Sequence, residues 1–388
     1  MSAAATLIEP WRGLSRTVWV LVVARAVNRI GAFSLSFLAI VLTVEFGASL
    51  SRTGLVVALF GLATIPSRLL GGVLADRLGR RRTIVLGLAG CAGAQLWIAA
   101  STTLWSAMAA AIVLGLAFEI YEPSSQAAVA DATAPADRPA AYGLLGSAMA
   151  VAGVLAGLLA AAVSHWDLRW LFVADAITCL ACAVLVAFAL PVDVRRDWAQ
   201  AGGVTVWRDR RLLLLLASGT VFATIYMQLV VGIPLTLMEQ KLSASGTGII
   251  LAVSAVVMIV AQRLLRVQLD DFRAMNIGCL LLATGLMICA FATTLPVFLL
   301  AAAFWSVGEA LLLTRYLTQA AGLAPDGGRA RYLAVFGLCW GAATTVAPLI
   351  VTYLLATSGP KGLWLTNAAA AVALAAAQPW LRRRLAPA

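Results

Sequence analysis

Long apolar stretches, separated by short polar connections that contain arginine, run through the whole chain. A helix that crosses the hydrocarbon core of a bilayer needs about 20 mainly apolar residues, since it rises about 1.5 Å per residue. Dividing the sequence at charges, glycine and proline predicts twelve such helices, at 17–44, 53–75, 84–101, 105–128, 141–164, 169–190, 212–238, 247–267, 274–294, 297–320, 332–356 and 363–380. We therefore expect an all-α membrane protein.

The composition supports a membrane environment and argues against other classes. Hydrophobic residues make up 62% of the chain and charged residues 12%, whereas soluble domains are about half apolar and a quarter charged. The net charge of +11 would suit a nucleic-acid-binding protein. However, the basic residues form short clusters between apolar stretches, so we expect the lipid bilayer as partner and no nucleic acid.

The placement of arginine and lysine predicts the orientation. If the N-terminus is inside, 20 basic residues of the connections lie on the cytoplasmic side and 4 lie on the other side. Cytoplasmic connections carry the excess of positive charge in membrane proteins. We therefore expect both termini to be cytoplasmic, in a multi-pass protein of the cell membrane, with residues 1–16 as a short tail and not a cleaved signal peptide.

The longest polar connection, residues 191–211, falls midway along the chain. It divides the sequence into residues 1–190 and 212–388, each with six predicted helices. "GLAFEIYEPSSQAA" (115–128) also aligns without gaps on "GEALLLTRYLTQAA" (308–321). We therefore predict two pseudo-symmetric six-helix bundles, an arrangement that places a transporter's site at the interface of its repeats.

The connection between the second and third predicted helices contains "GGVLADRLGRRRT", residues 71–83. Its spacing of glycine, leucine, aspartate and arginine resembles the G-x-L-a-D-R-x-G-R-R motif of the major facilitator superfamily. Together with the helix count and the central break, it makes the chain resemble this family over its length, and most of all its multidrug-efflux branch. Two features depart from that branch: Ala111 stands where drug antiporters often carry arginine, and the fifth helix has Gly153 and Gly157 but no proline.

The resemblance implies that this motif closes the cytoplasmic face during alternating access. Gly72 permits close helix approach, Gly79 suits a tight turn, and the Asp76 carboxylate suits a neighbouring helix N-terminus. A solvated basic loop is the alternative explanation for the arginines. The other predicted members of this gate are the arginines and their candidate carboxylate partner, Arg77, Arg80, Arg81 and Asp131.

Several ionisable residues lie inside predicted helices, where each costs roughly 2.5–3.5 kcal/mol at the bilayer centre on insertion scales. Arg25 and Arg29 share one face of the first helix, and Glu119 and Glu122 lie at an overlapping depth of the fourth. We predict that one of these arginines pairs with one of these glutamates. The pair would either fix helix packing or exchange a proton, because an arginine that approaches a protonated carboxylate favours release of the proton.

The second half carries further candidates. Glu309 lies near mid-depth of the tenth predicted helix, and Arg315 aligns with Glu122. The halves would then present opposite charges that could pair across a central cavity. Asp175 is expected close to the outer surface. The remaining candidate cavity residues are polar side chains of the first and seventh helices, Asn28, Tyr226 and Gln228.

The resemblance implies a secondary active transporter, and we interpret the chain as a proton-coupled exporter of a small amphipathic drug or metabolite. Proton-coupled uptake of a nutrient, or a membrane protein that keeps the fold without transport, are the alternatives. An enzyme is not expected, since the sequence contains no phosphate-binding loop and no Ser/His/Asp set, and His165 is its one histidine. We expect no cofactor and no metal, six buried cysteines, a small-molecule substrate with protons, and a monomer.

Overall fold

The computed structural model describes residues 11, 13–31, 38, 41–42, 45–48, 50–163, 169–192, 206–242, 245–264, 270–325 and 328–385. Within these ranges the regular structure is helical, with short 3-10 turns at Pro135–Asp137 and Val206–Arg208. This confirms the expected all-α class. The helices are α1 Arg16–Gly31, α2 Leu50–Leu78, α3 Arg80–Ala100, α4 Leu104–Phe118, α5 Tyr121–Asp131, α6 Arg138–Val163, α7 Arg169–Ala189, α8 Arg210–Glu239, α9 Ser245–Leu264, α10 Asp271–Ala290, α11 Leu295–Leu323 and α12 Arg329–Leu385.

The helices have the length and surface of membrane-spanning segments. Within the described residues, eight are long and apolar enough to cross a bilayer, by length and composition alone. Large apolar side chains point away from the protein, for example Leu62, Leu349 and Phe188, the last of which is 87% exposed. Soluble monomers rarely expose wide apolar surfaces. The protein is therefore an integral membrane protein.

Two boundaries between helices in the second half of the chain agree with the prediction from the sequence. The predicted separation at "TTLP" is confirmed, because α10 ends at Ala290 and α11 begins at Leu295, with proline in its first turn. The long helix α12 contains one non-helical residue, Gly359, with φ 64° and ψ −174°. Glycine reaches this left-handed region without the steric cost of a side chain, so the helical path changes direction there.

The fourth predicted helix, 105–128, is not continuous. Helix α4 ends at Phe118 and α5 begins at Tyr121. Pro123 lies in the first turn of α5, where the missing proline N–H costs little. The N–H of Glu119 donates to Ser67 Oγ on α2, at 3.0 Å. The predicted segment is therefore present as one candidate span, Leu104–Asp131, which is interrupted between α4 and α5.

Helices α1–α7 and α8–α12, called here the N-terminal and C-terminal helices, meet along α2 and α5 with α12 and along α6 with α9 and α11. The backbones of α2 and α12 approach closely at Gly72. A Cβ there would lie 2.8 Å from the Ala334 Cβ and 3.0 Å from the Ala330 carbonyl. The predicted close approach at Gly72 is therefore present, and its partner is the first turns of α12.

The two helices diverge farther along the same faces. A Cβ at Gly341 of α12 would be 3.9 Å from Ile65 of α2, and a Cβ at Gly61 would meet nothing within 4 Å. Thr345, the next residue on this face of α12, is exposed. We call the end near Gly72 the closed end and the opposite end the open end.

Candidate functional site

Ion pairs join the N-terminal and C-terminal helices at the closed end. The Asp76 carboxylate is fully buried and accepts from Arg80 Nη1 at 2.7 Å and from Arg331 Nε at 2.6 Å. Asp131 pairs with Arg80 at 3.3 Å and with Arg329. Because Arg329 and Arg331 belong to the first turn of α12, two acids of the N-terminal helices hold one end of a C-terminal helix.

This contact refines what the motif predicted. Asp76 was expected at a helix N-terminus, and it binds an arginine side chain of such a terminus. The predicted contact of Asp131 with a motif arginine is present for Arg80. Arg77 and Arg81 line an open groove of about 790 Å³ at the same end.

Gly79 makes the turn that brings the motif together. Its φ of 96° is unfavourable for residues with a side chain. The residue precedes α3, and Thr83 Oγ1 donates to its carbonyl at 2.8 Å. The predicted tight turn is thus present, and it allows Arg80 to reach back to Asp76.

A second group of charges lies inside the N-terminal helices, around the break between α4 and α5. Arg25 of α1 forms an ion pair with Glu122. The Arg25 guanidinium also lies 5.2 Å from the Tyr121 ring centroid, a distance at which a cation is attracted to the ring. Gln126 Nε2 donates to the second Glu122 oxygen at 2.7 Å. Of the pairings left open by the sequence, the structure contains this one.

Glu119 has a partner that the sequence did not suggest. Arg68 Nη1 of α2 donates to Glu119 Oε2 at 2.6 Å. The Arg68 guanidinium also lies against α12, since a Cβ at Gly337 would be 1.8 Å from its Nε. The spacing of residues in the sequence could have indicated this position. Arg68 lies one helical turn before Gly72 and two turns before Asp76, on the face of α2 that meets α12.

Asn28 and Arg29 differ from the expected cavity-lining roles. Asn28 is buried, accepts from the Tyr121 hydroxyl at 2.7 Å and donates to Cys179 Sγ at 3.2 Å. It therefore links α1 to α5 and α7. Arg29 is exposed.

Two further polar residues are buried against neighbouring helices. Gln228 accepts from Asn367 Nδ2 at 2.9 Å, so it faces α12 and not the cavity. Asp175, expected near the outer surface, is 1% exposed and accepts from Gln95 at 2.7 Å. In both cases the side chain faces a packed neighbouring helix. Counting residues along a helix gives the depth of a side chain but not the direction in which it points.

Arg315 does not pair with Glu122 in this structure. It donates to Asp271 Oδ1 of α10 at 2.6 Å. Gln319 donates to the other Asp271 oxygen at 2.7 Å. The cross-cavity pair suggested by the alignment is thus replaced by a pair among the C-terminal helices.

Glu309 lies in a cavity of about 150 Å³ between α6, α8, α9 and α11. It is 5% exposed, and within the described residues it has no hydrogen bond and no ion pair. Tyr226, predicted to line a central cavity, lines this one and packs edge-on against Trp340 at 5.2 Å between centroids. Other lining residues are mainly apolar, including Ala150, Leu229, Ile233, Leu251, Met258 and Trp305.

Known proteins resemble this chain over most of its length. The sequence profile of the Major Facilitator Superfamily matches residues 21–271. A Na⁺, Li⁺, K⁺/H⁺ antiporter of Planococcus maritimus is 25% identical, covering 81% of this chain and 84% of its own. Multidrug resistance protein MdtH of Aeromonas hydrophila is 27% identical, covering 77% and 78%.

Solved structures share the fold. A bacterial homologue of the iron transporter ferroportin, in an outward-facing state, superposes with a TM-score of 0.75 at 18% identity and covers 95% of this chain and 100% of its own. The motif at Gly72–Arg81, the profile match and the shared fold point to the same family, and the MdtH relative agrees with the multidrug branch. The chain belongs to the major facilitator superfamily of transporters.

Proposed function

We propose that the protein is a secondary active transporter that exports a small amphipathic compound by alternating access, driven by protons. One observation carries this proposal. The ion pairs of Asp76 and Asp131 join the N-terminal and C-terminal helices at one end, while the same faces of α2 and α12 diverge at the other end. Breaking these pairs would let the closed end open.

The proposal includes a topology of twelve spans in two six-helix bundles, residues 1–190 and 212–388. Helices α4 and α5 form one span, and α12 forms two spans around Gly359. The arginine distribution supports a cytoplasmic closed end and cytoplasmic termini in the cell membrane. The conformation is then outward-open, and the protein acts as a monomer.

Export of an amphipathic compound is supported by the cavity and by the relatives. The cavity around Glu309 is lined mainly by apolar side chains, whereas sugar or organic-acid uptake would need more polar groups. The relatives are named for multidrug resistance and for cation/proton antiport. These names support export in exchange for protons over uptake of a nutrient.

The intramembrane acids are the candidates for proton coupling. Glu119 and Glu122 are held by Arg68 and Arg25, so protonation would release an arginine. The release of Arg68 would act on the interface directly, because its guanidinium lies against Gly337 of α12. Glu309 has no such partner in the described part of the chain and would exchange its proton with substrate.

Transport in proteoliposomes with an imposed pH gradient tests the proposal. We expect a panel of amphipathic dyes to move against their gradient when protons flow the other way. At least one of Glu119→Gln, Glu122→Gln and Glu309→Gln should lose the pH dependence. Glu45→Gln is the matched control, since Glu45 pairs with Arg169 outside this group, at 3.6 Å.

Two results would contradict the proposal. If all three glutamine variants keep wild-type pH dependence, these acids do not couple transport to protons. If no compound moves under any gradient, the protein keeps the fold without transport.

A further inference from the structure

We propose that a small pocket among α1, α3, α5 and α7 binds one water molecule between the Arg25 guanidinium and the Ser125 hydroxyl. Both side chains line this pocket. The water would make Ser125 a positioning residue, one that acts on the Arg25–Glu122 pair through Arg25. The pocket lies within the N-terminal helices, so the inference does not depend on the proposed transport function.

The first observation is that two polar atoms of the pocket walls have no protein partner. Ser125 is 1% exposed, and its Oγ has no hydrogen bond within the described residues. The Arg25 Nε is also buried without an acceptor among these residues, although Nη1 of the same guanidinium pairs with Glu122. Nearly all buried polar groups of native proteins are hydrogen-bonded, to ordered water where no protein atom is in reach. Two such groups around one pocket therefore point to a shared water.

The neighbouring serine shows that Ser125 is not satisfied within its own helix. Ser124 Oγ donates to the Ile120 carbonyl, four residues earlier, at 3.4 Å. Serine side chains inside helices commonly make this bond. Ser125 makes no equivalent bond to the Tyr121 carbonyl in the described part of the chain. Its hydroxyl is therefore available to an occupant of the pocket.

The pocket has the size and the partners that one water needs. It measures about 10 Å³, and a cavity holds one water from about 10–15 Å³ upward. A buried water makes about three hydrogen bonds. The Arg25 Nε–H would donate to it, and the hydroxyl oxygens of Ser125 and Tyr121 would accept from it. Tyr121 also lines the pocket and directs its own hydrogen to Asn28, at 2.7 Å, so its oxygen can accept.

The charges around the pocket favour a neutral occupant. Arg25 is already balanced by Glu122. An anion would place a second negative charge near that carboxylate in a medium of low dielectric, and a cation would face the guanidinium. The other walls are mainly apolar, with Leu21, Ala24, Ile84, Leu88 and Val186.

The water would complete the contacts that hold Arg25. Glu122 binds Nη1, and the Tyr121 ring centroid lies 5.2 Å from the guanidinium. The water would bind Nε, which neither of these groups engages. With the water and the ring in place, Arg25 stays beside α5 when its contact with Glu122 is broken.

A density map of the purified full-length protein, at a resolution that shows ordered water, tests the inference. We expect one peak within about 2.7–3.2 Å of both Arg25 Nε and Ser125 Oγ. Ser125→Val should remove the peak, because the larger side chain fills the pocket. Ser124→Ala is the matched control and should keep the peak, since the Ser124 hydroxyl bonds within its own helix.

Nuclear magnetic resonance of protein labelled with ¹⁵N-arginine tests the positioning role. The Arg25 Nε–H signal is identified by its absence from Arg25→Met/Glu122→Gln. It should show a nuclear Overhauser cross-peak to water protons that Ser125→Val removes. Ser125→Ala keeps the room and removes one partner of the water, so it should shift the signal, whereas Ser124→Ala should leave it in place.

Three results would overturn the inference. The first is a map that shows ordered water at other buried sites of the N-terminal helices and none in this pocket. The second is an Arg25 Nε–H signal that stays unchanged in Ser125→Ala, the variant that carries the test if Ser125→Val does not fold. The third is an anomalous-scattering peak in the pocket of crystals soaked in bromide, which would assign the site to an anion.

Discussion

Two aligned stretches, residues 115–128 and 308–321, adopt different structures in the two groups of helices. The first contains the break between α4 and α5, whereas the second lies within the continuous helix α11. Pro123 aligns with Tyr316, which is buried and stacks on Phe222 with centroids 5.5 Å apart. A related sequence therefore provides a broken, polar segment in one place and a packed helix in the other.

The buried ion pairs of these stretches show what is shared. Glu122 pairs with Arg25 of α1, while the aligned Arg315 pairs with Asp271 of α10. In both cases the glutamine four residues later, Gln126 or Gln319, donates to the carboxylate of the pair at 2.7 Å. Both groups of helices thus combine an acid, an arginine and a glutamine. The aligned stretch supplies the acid in the first group and the arginine in the second.

The unmatched acids show what is different. Glu119 aligns with Leu312 and is held by Arg68, and Glu309 aligns with Leu116 and has no partner among the described residues. The N-terminal acids therefore act within the protein's own ion pairs. Glu309 remains available to a proton or a ligand.

The largest effect is expected when one ion pair loses its cation. Arg25→Met and Arg315→Met should each lower the free energy of unfolding by about 3 kcal/mol, the lower end of the range for broken buried pairs, since each leaves a half-buried carboxylate without its partner. The double variants Arg25→Met/Glu122→Gln and Arg315→Met/Asp271→Asn should recover most of this loss. Thermal unfolding in detergent is the measurement. If only one arginine matters, the two pairs are not equivalent.

A smaller effect is expected at the interface. Gly337→Ala places a methyl group on the Arg68 guanidinium, where the Cβ would be 1.8 Å from Nε. The guanidinium is the far end of a flexible side chain and can move aside, so we expect a cost of only about 1 kcal/mol, the lower end of the range for overpacking. Because Arg68 then leaves its contact with α12, the closed end should open in a larger fraction of molecules. Spin-label distances between α2 and α12 at that end would report the shift.

Gly341→Ala is the matched control for this change. It lies on the same face of α12, and its nearest neighbour would be Ile65 at 3.9 Å, which is ordinary contact. Its distance distribution should equal that of the wild type. Equal distributions for both variants would mean that Arg68 does not hold the interface.

The smallest effect is expected from Pro123→Ala. The Glu119 N–H donates to Ser67 and its carboxylate binds Arg68, so the break should persist without the proline. We expect a change of less than about 1 kcal/mol in the free energy of unfolding. Hydrogen exchange at residues 119–122 should stay faster than at 312–315. Equal protection of both segments would show that the proline by itself creates the difference.

Much of the architecture followed from local properties of the sequence. Apolar length predicted the helical class and the separation at "TTLP". The spacing of glycines and charges predicted a close helix approach at Gly72 and a turn at Gly79, and the structure has both. It also predicted Asp76 beside a helix N-terminus, where Asp76 binds Arg331. Helical periodicity and depth also brought Arg25 and Glu122 together.

Other features depended on how each helix is rotated against its neighbours. Depth along a helix is a property of the sequence, since the rise per residue is constant. The neighbour that a side chain faces is set by packing of the whole helix, so Asn28 and Gln228 turned out to be buried contacts and Arg315 found Asp271. The same reason hid the pairing of Glu119 with Arg68, which required α2 and the end of α4 to meet.

The sequence by itself determined that this chain is a helical membrane protein of the major facilitator superfamily, because apolar length and a short glycine–aspartate–arginine motif are local properties. Only the tertiary structure decided which intramembrane charges satisfy one another, and that Glu309 has no charged partner among the residues that the structure describes. That choice depends on distances of a few ångströms between helices far apart in the chain. In a medium of low dielectric, such distances separate a stable ion pair from a carboxylate that is open to a proton.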